Sequence, residues 1–223
     1  MDSPRGPQAP LTTPTPPVPR FLALDWETNG FRADPDQPLP CANWPVSVSL
    51  WAVAVDGSVE HLYSSKVSGA TQFSTWAAEH HPFTPEDLRT APAFEEVIRA
   101  MIAMVREGDV LVCHNMDYDV GKVLVPMCRR LGLEADGMRL LRLPWVCTCK
   151  GGWASTLLGG KWLSMRELCT CFGVRNGDEH SASGDAKALA ECLAVALTRR
   201  EEHVPGHGLA RELLAAGERA VAR

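Results

Sequence analysis

The stretch Phe21-Leu22-Ala23-Leu24-Asp25-Trp26-Glu27-Thr28-Asn29-Gly30 carries the fold of this chain. Its first four residues form a short apolar run of the kind that makes a buried strand. The run ends in two carboxylates at i, i+2, and Asn29-Gly30 closes the regular structure. Strand side chains alternate, so Asp25 and Glu27 belong to one face and Trp26 to the other. Two anionic oxygen donors on one face of a strand end can cradle a hard divalent cation. An acidic strand end leading into a solvated turn has the same local pattern, so Asp-x-Glu alone decides nothing.

Outward from this strand the chain reads as alternating strands and helices. Residues 1–19 carry seven prolines among Ser, Thr and Gln, a composition expected to form a disordered or extended tail. Residues 31–43 are a Pro/Asp-rich loop beside the carboxylate pair. Apolar runs at 46–55 and 59–63 flank Asp56-Gly57, a strong hairpin signal. Thr84-Pro85-Glu86-Asp87 opens a helix, with Pro at its first position and acids in the first turn. Phe94 to Glu107 has a helical apolar stripe with Gly108 as its stop. Val110 to Cys113 is a buried strand running into His114-Asn115-Met116-Asp117-Tyr118-Asp119. A helix is expected over 118–131, strand-like structure over 138–148, and a helix from the Ser164-x-x-Glu167 capping box to Phe172. Helices at 185–199 and 208–221 complete the pattern. The result is an α/β domain with a mixed sheet, its antiparallel hairpin early and a parallel crossover later.

Composition narrows the class. The 223 residues suffice for one large domain, and 45% hydrophobic with 22% charged residues is ordinary for a soluble globular protein. A net charge of −5 argues against coating nucleic acid by bulk electrostatics, but not against an enzyme whose metal ions supply local positive charge. The stretch 122–166 holds eight basic residues against Glu134 and Asp136, a local balance of +6. That stretch suits either a phosphate-facing surface or an ordinary solvated face. No apolar stretch reaches bilayer-spanning length, and the N-terminus does not read as a secretory signal. Eight cysteines without such a signal read as reduced thiols of an intracellular protein, cytoplasmic or nuclear. Cys147-x-Cys149 and Cys169-x-Cys171 lack the usual x2–4 spacing of a structural zinc site and read as small core residues.

Three acidic clusters sit at element ends: Asp25 and Glu27 after the first strand, Asp119 after a later strand, and Asp185 at a helix start. In α/β sheets ligand sites gather at the carboxyl ends of strands. His180 lies five residues before Asp185 in Glu179-His180-Ser181-Ala182-Ser183-Gly184-Asp185. Four carboxylates and an imidazole fit a hydrolytic site with two divalent metals.

The residues resemble the DEDDh 3′→5′ exonucleases, the family of proofreading exonuclease subunits and TREX-type DNA exonucleases. The resemblance rests on Asp25, Glu27, Thr28 and Gly30; then His114, Asn115, Tyr118 and Asp119; then His180, Ala182, Gly184 and Asp185. The segment from Phe83 to Phe94 also looks like the stretch between the first two motifs. Each motif alone is weak, but three in order become specific through context. The resemblance covers roughly residues 20–200 and implies an RNase H-like fold with a mixed central sheet flanked by helices. It further implies hydrolysis of the 3′-terminal phosphodiester with two Mg²⁺ or Mn²⁺ ions clamping the attacking and leaving oxygens. By the same likeness Asp25 bridges both ions, Glu27 and Asp185 complete one site, and Asp119 helps hold the second. His180 takes the proton from the attacking water, a task suited to imidazole. Thr28 and Asn115 contact the terminal nucleotide or orient the site.

On this reading residues 20–203 are the exonuclease domain, and 204–223 form a helix packed on it or extending from it. The expected substrate is the 3′ end of single-stranded DNA, with nucleoside 5′-monophosphates as product. An RNA 3′-end trimmer and a catalytically silent module binding nucleic acid or a protein partner are the alternatives. Asp117 is expected to cap a helix rather than bind metal. The Gly/Trp segment 151–162 has no family role, and its Trp153 and Trp162 suit either base stacking or burial.

Overall fold

The structure, a computed structural model, describes residues 18–30, 43–150, 161–199 and 207–221. The tail up to residue 17, the loop at 31–42, Trp153 with the rest of 151–160, and 200–206 lie outside the described residues.

Five strands form one sheet: β1 (Arg20–Thr28), β2 (Pro45–Ala54), β3 (Val59–Lys66), β4 (Val110–Cys113) and β5 (Trp145–Cys147), in the order β3-β2-β1-β4-β5. β1 pairs with β2, and β2 with β3, in antiparallel fashion; β1–β4 and β4–β5 are parallel. The sheet is therefore mixed, as expected. The hairpin between β2 and β3 turns at Asp56-Gly57, where Gly57 has φ +86°. The Asp56 carboxylate accepts the Ser58 N–H at 2.9 Å and the Ser58 hydroxyl at 2.7 Å. A parallel pair needs a long crossover. Helices α1 (Thr75–His80), α2 (Pro85–Leu88) and α3 (Phe94–Met104) supply the one that returns the chain to β4.

Alternation along β1 sorts the core into two layers. Leu22, Leu24 and Trp26 pack with Phe94, Val97 and Ile98 of α3 on one side. Phe21 and Ala23 pack on the other with Leu189 and Leu193 of a long later helix, Ala182–Thr198. Asp25 and Glu27 continue the second set. A one-residue register slip would drive both carboxylates into the apolar α3 layer, where a charged group has no partner, and turn Leu22 and Leu24 to the opposite face. β1 is pinned at its start, where the nearly buried Arg20 guanidinium grips both oxygens of Asp109 at 3.0 and 2.8 Å.

After β4 the helical stretch expected at 118–131 is present in three pieces: α4 (Met116–Tyr118), a π-helical segment (Asp119–Leu124) and α5 (Val125–Arg130). Pro126 has no N–H to give the preceding turn, and the ladder widens just before it. The strand expected over 138–148 is confined to β5. Glu134–Leu141 is instead helix α6, whose Gly137 lies against α5: a Cβ there would stand 2.6 Å from the Cys128 sulfur. That close packing, with Leu140 buried beneath, overrides the local apolar alternation.

α7 (Met165–Phe172) opens on the expected capping box and closes on Gly173 in the left-handed region at φ +70°. α8 (Ala182–Thr198) begins three residues earlier than expected. The Ser181 hydroxyl caps it by accepting the Gly184 N–H at 2.9 Å, so Asp185 lies in the first turn. α9 (His207–Val221) packs Leu209, Leu213 and Ala216 into the α8 layer. Among the described residues no helix is long and apolar enough to cross a membrane.

Candidate active site

The carboxyl end of β1 brings Asp25 and Glu27 under the first turn of α8, and oxygens of Asp25, Glu27 and Asp185 lie within 4.8 Å of one another. Asp119 enters from the first position of the π-helical segment that follows β4, the parallel neighbour of β1. Its carboxylate accepts backbone N–H groups of Trp26 and Asn115, which holds it beside β1. Four carboxylates thus converge from three separate segments, all lining one cavity of about 530 Å³.

Their electrostatics report crowding. Burial, then Asp119, Glu27 and Asp185, holds the Asp25 carboxyl well above the usual range. Burial and the Asp185 charge push Glu27 up to about 8. Burial pushes Asp119 up to about 8 against the opposing pull of its backbone donors. Asp185 is raised by burial, partly offset by the Asn176 amide and the His180 N–H that it accepts. Among the described residues no lysine or arginine forms an ion pair with any of the four. Buried like charges without a counter-cation favour protonation or a bound cation. A set made only of carboxylate oxygens suits hard ions such as Mg²⁺ or Mn²⁺.

His180 sits on the loop that feeds α8, with φ +64°, a left-handed conformation that histidine tolerates better than most side chains. Its N–H reaches Asp185 at 3.1 Å. Its ring stands edge-on to His80 (4.9 Å between centroids) and to Trp76 (5.9 Å), which themselves stack at 4.0 Å. The loop folds tightly because residue 184 is glycine. The second histidine at the cavity, His114, is different: its Nδ1 lies 2.9 Å from the Thr148 hydroxyl, and burial pulls it down to about 4, so it stays neutral.

Thr28 and Asn115 both line the cavity. The Thr28 hydroxyl donates to the Gly30 carbonyl at 2.9 Å and meets the Tyr118 hydroxyl at 2.6 Å, tying the end of β1 to the helical segment. The buried Asn115 Oδ1 has no partner among the described residues. Asp117, expected to cap a helix, does not: the cap position is Asn115, and Asp117 reaches out to Lys150 Nζ at 2.5 Å. Trp76, Arg166, Asn176 and Glu179 also line the cavity and were not marked by any sequence motif. For Trp76 a signal existed, since Ser74 caps its helix by accepting the Ala77 N–H. For Asn176 nothing local indicates that its amide meets Asp185.

The sheet order and the carboxylates at the end of its central parallel pair define an exonuclease of the RNase H-like fold. Residues 22–193 match the Exonuclease family, RNase_T, and the chain belongs to that family of 3′-exonucleases, in its DEDDh type. No curated protein sequence matches it. Among solved structures it is similar to the nuclease domain of 3′hExo, a DEDDh family member bound to rAMP. The TM-score there is 0.63 at 13% identity, over 84% of this chain and 94% of that one. It is also similar to Exonuclease X in complex with 5′ overhanging duplex DNA, at TM-score 0.53 and 19% identity, over 90% and 99% of the two chains. A third, a 3′-exonuclease with 3′-end specific recognition of histone mRNA stem-loop, gives TM-score 0.60 at 14% identity, over 81% and 82%. These likenesses concern the fold.

Proposed function

We propose that this exonuclease removes nucleotides one at a time from the 3′ end of single-stranded DNA and releases nucleoside 5′-monophosphates. The observation that carries the reading is the convergence of Asp25, Glu27 and Asp185 within 4.8 Å, with Asp119 acting on Asp25 from the helical segment after β4. Asp25, Glu27, Asp119 and Asp185 would hold two Mg²⁺ or Mn²⁺ ions, which when bound neutralise charge on the scissile phosphate and polarise the attacking water.

The chain's own groups do the rest. A ring nitrogen of His180 takes a proton from water as the new O–P bond forms and the bond to the 3′ oxygen of the preceding nucleotide breaks. That 3′ oxygen leaves with a proton from solvent. Asn115 offers its buried Oδ1 to a donor on the terminal nucleotide, and Thr28 holds the end of β1 in place through Gly30 and Tyr118. His114, neutral and buried, is a poor base for this step. Residues 20–203 make up the catalytic unit, and 204–223 are its C-terminal segment, whose helix α9 packs on the α8 layer. The free cysteines suit a reducing, intracellular setting, cytoplasmic or nuclear.

RNA trimming is the competing substrate reading, favoured by the fold shared with the histone mRNA stem-loop exonuclease. The test is digestion of 5′-labelled single-stranded DNA and RNA of one sequence, with Mg²⁺, Mn²⁺ or EDTA. Stepwise shortening of the DNA from its 3′ end, stopped by EDTA, is expected. Cuts in a circular single strand without ends overturn the exonuclease reading, and faster loss of RNA than DNA replaces the substrate.

A further inference from the structure

Trp145 and Trp162 are the exposed tryptophans among the described residues, at 58% and 68%. Lys150 relates the two, touching one and sharing a groove with the other. The Lys150 ammonium lies 3.7 Å from the centre of the Trp162 ring. It also lines, with Trp145, a groove of about 360 Å³. Leaving two large aromatic surfaces in water has no packing benefit, and paired exposed apolar surface marks an interaction site.

The groove and the active-site cavity are lined by consecutive residues of one segment. His114 and Asn115 line the cavity, and the next two residues, Met116 and Asp117, line the groove. Backbone hydrogen bonds continue the same edge: Cys149 N–H to the His114 carbonyl, then Leu163 N–H to the Cys149 carbonyl. Leu163 is buried while Trp162 points out, and Ser164, two residues further, is on the cavity rim. In extended chain two residues span about 7 Å, so Trp162 stands one short step outside the site.

We propose that Trp162 and Trp145, with Lys150 between them, form a stacking track for the unpaired bases that precede the 3′-terminal nucleotide. This rests on the exonuclease reading above. Aromatic faces accept any base, which suits an enzyme that must advance through every sequence. The track is led by stacking, because Lys150 and Arg219 in the groove are balanced by Asp117 and Glu212. Its salt dependence is therefore shallow compared with binding led by phosphate contacts.

The test compares the full-length protein with Trp162→Ala, Trp145→Ala and Trp162→Phe on two substrates. One is the p-nitrophenyl ester of thymidine 5′-monophosphate, which fills only the cavity; the other is a labelled 12-nucleotide single strand. A stacked base contributes roughly 1–3 kcal/mol, or about 5- to 150-fold. Each alanine variant should raise the KM of the 12-mer by a factor in that range and leave hydrolysis of the ester at the wild-type level. Trp162→Phe should keep most of the affinity. Wild-type KM on the 12-mer in both alanine variants overturns the track, as does an equal loss on both substrates. Anisotropy of the labelled strand in EDTA separates the two readings. If the wild type cleaves neither substrate but binds the strand more tightly than the alanine variants, the track stands and the exonuclease reading falls.

Discussion

A Cβ on residue 184 would stand 2.2 Å from the carbonyl oxygen of Asp178, so only glycine lets the loop 178–181 close onto the start of α8. That closure aims the His180 N–H at Asp185 and brings the His180 ring against His80. Gly184→Ala must push the loop outward. Misplacement of a reacting group by about 1 Å can cost on the order of 10²-fold. Single-turnover rates should fall by that order, while overpacking at an exposed loop lowers stability by no more than about 1–3 kcal/mol. Wild-type turnover in Gly184→Ala would show that loop closure is dispensable.

His180 and Asp25 should fail in different ways. His180→Ala removes a base but no oxygen donor, so turnover should drop about 10²- to 10⁴-fold with Mn²⁺ affinity retained. Asp25→Asn takes away the charge at the centre of the acid cluster and should weaken Mn²⁺ binding together with turnover. Calorimetric titration of Mn²⁺ into each variant, set beside single-turnover rates, distinguishes the two. Equal loss of ion affinity in both would give His180 a place among the metal ligands instead.

The acid cluster makes stability depend on pH in an unusual direction. Glu27 and Asp119 are pushed up to about 8, and Asp25 and Asp185 are raised as well. Between the ordinary carboxyl range near 4 and about pH 8, the folded state therefore binds more protons than the unfolded one. This contribution is full below that range and is lost as pH rises towards 8. With EDTA present the melting temperature should be higher at pH 5 than at pH 8. Mg²⁺ should raise it more at pH 8, where fewer protons compete for the oxygens. A melting temperature in EDTA that climbs from pH 5 to pH 8 contradicts the crowded, unpaired cluster.

Arg20 and Asp109 join the start of β1 to the turn before β4, and the Asp109 side chain is only 2% exposed. Asp109 also accepts the Arg106 N–H at 2.8 Å, and Arg20 reaches the Met104 carbonyl at 3.0 Å. Asp109→Ala leaves a nearly buried guanidinium without its partner, which costs about 3–5 kcal/mol. Urea denaturation at neutral pH should show a midpoint lowered accordingly with an unchanged slope. A midpoint shift under 1 kcal/mol would place this pair with ordinary surface contacts.

Elements whose cause is local could be read from the residues alone. The apolar run before Asp25, the Asp56-Gly57 hairpin and the Ser164/Glu167 capping box each carry their own instruction within a few positions. The places of the acids have local causes too, since Asp25 and Glu27 stand at the end of β1, Asp119 opens the helical segment after β4 and Asp185 lies in the first turn of α8. Where the determinant is a distant partner, the sequence misleads or stays silent. Helix α6 depends on Gly137 meeting Cys128, and the apolar spacing around it imitates a strand. The aromatic brace of Trp76 and His80 on His180 joins residues a hundred positions apart, which no short motif encodes. Asp117 resembled a cap because of its place after a strand, but Lys150 claims it.

Asp25 lies on the central strand, whereas Asp185 and His180 belong to the segment that enters α8, some 160 positions later. During synthesis the hairpin, β4 and the first three acids leave the ribosome well before that segment does. A growing chain thus carries an unfinished cage, and the same event that seals the Phe21 side of the core delivers the last carboxylate and the imidazole. On the roles proposed above, a nascent chain acquires its full catalytic set only when its own core closes.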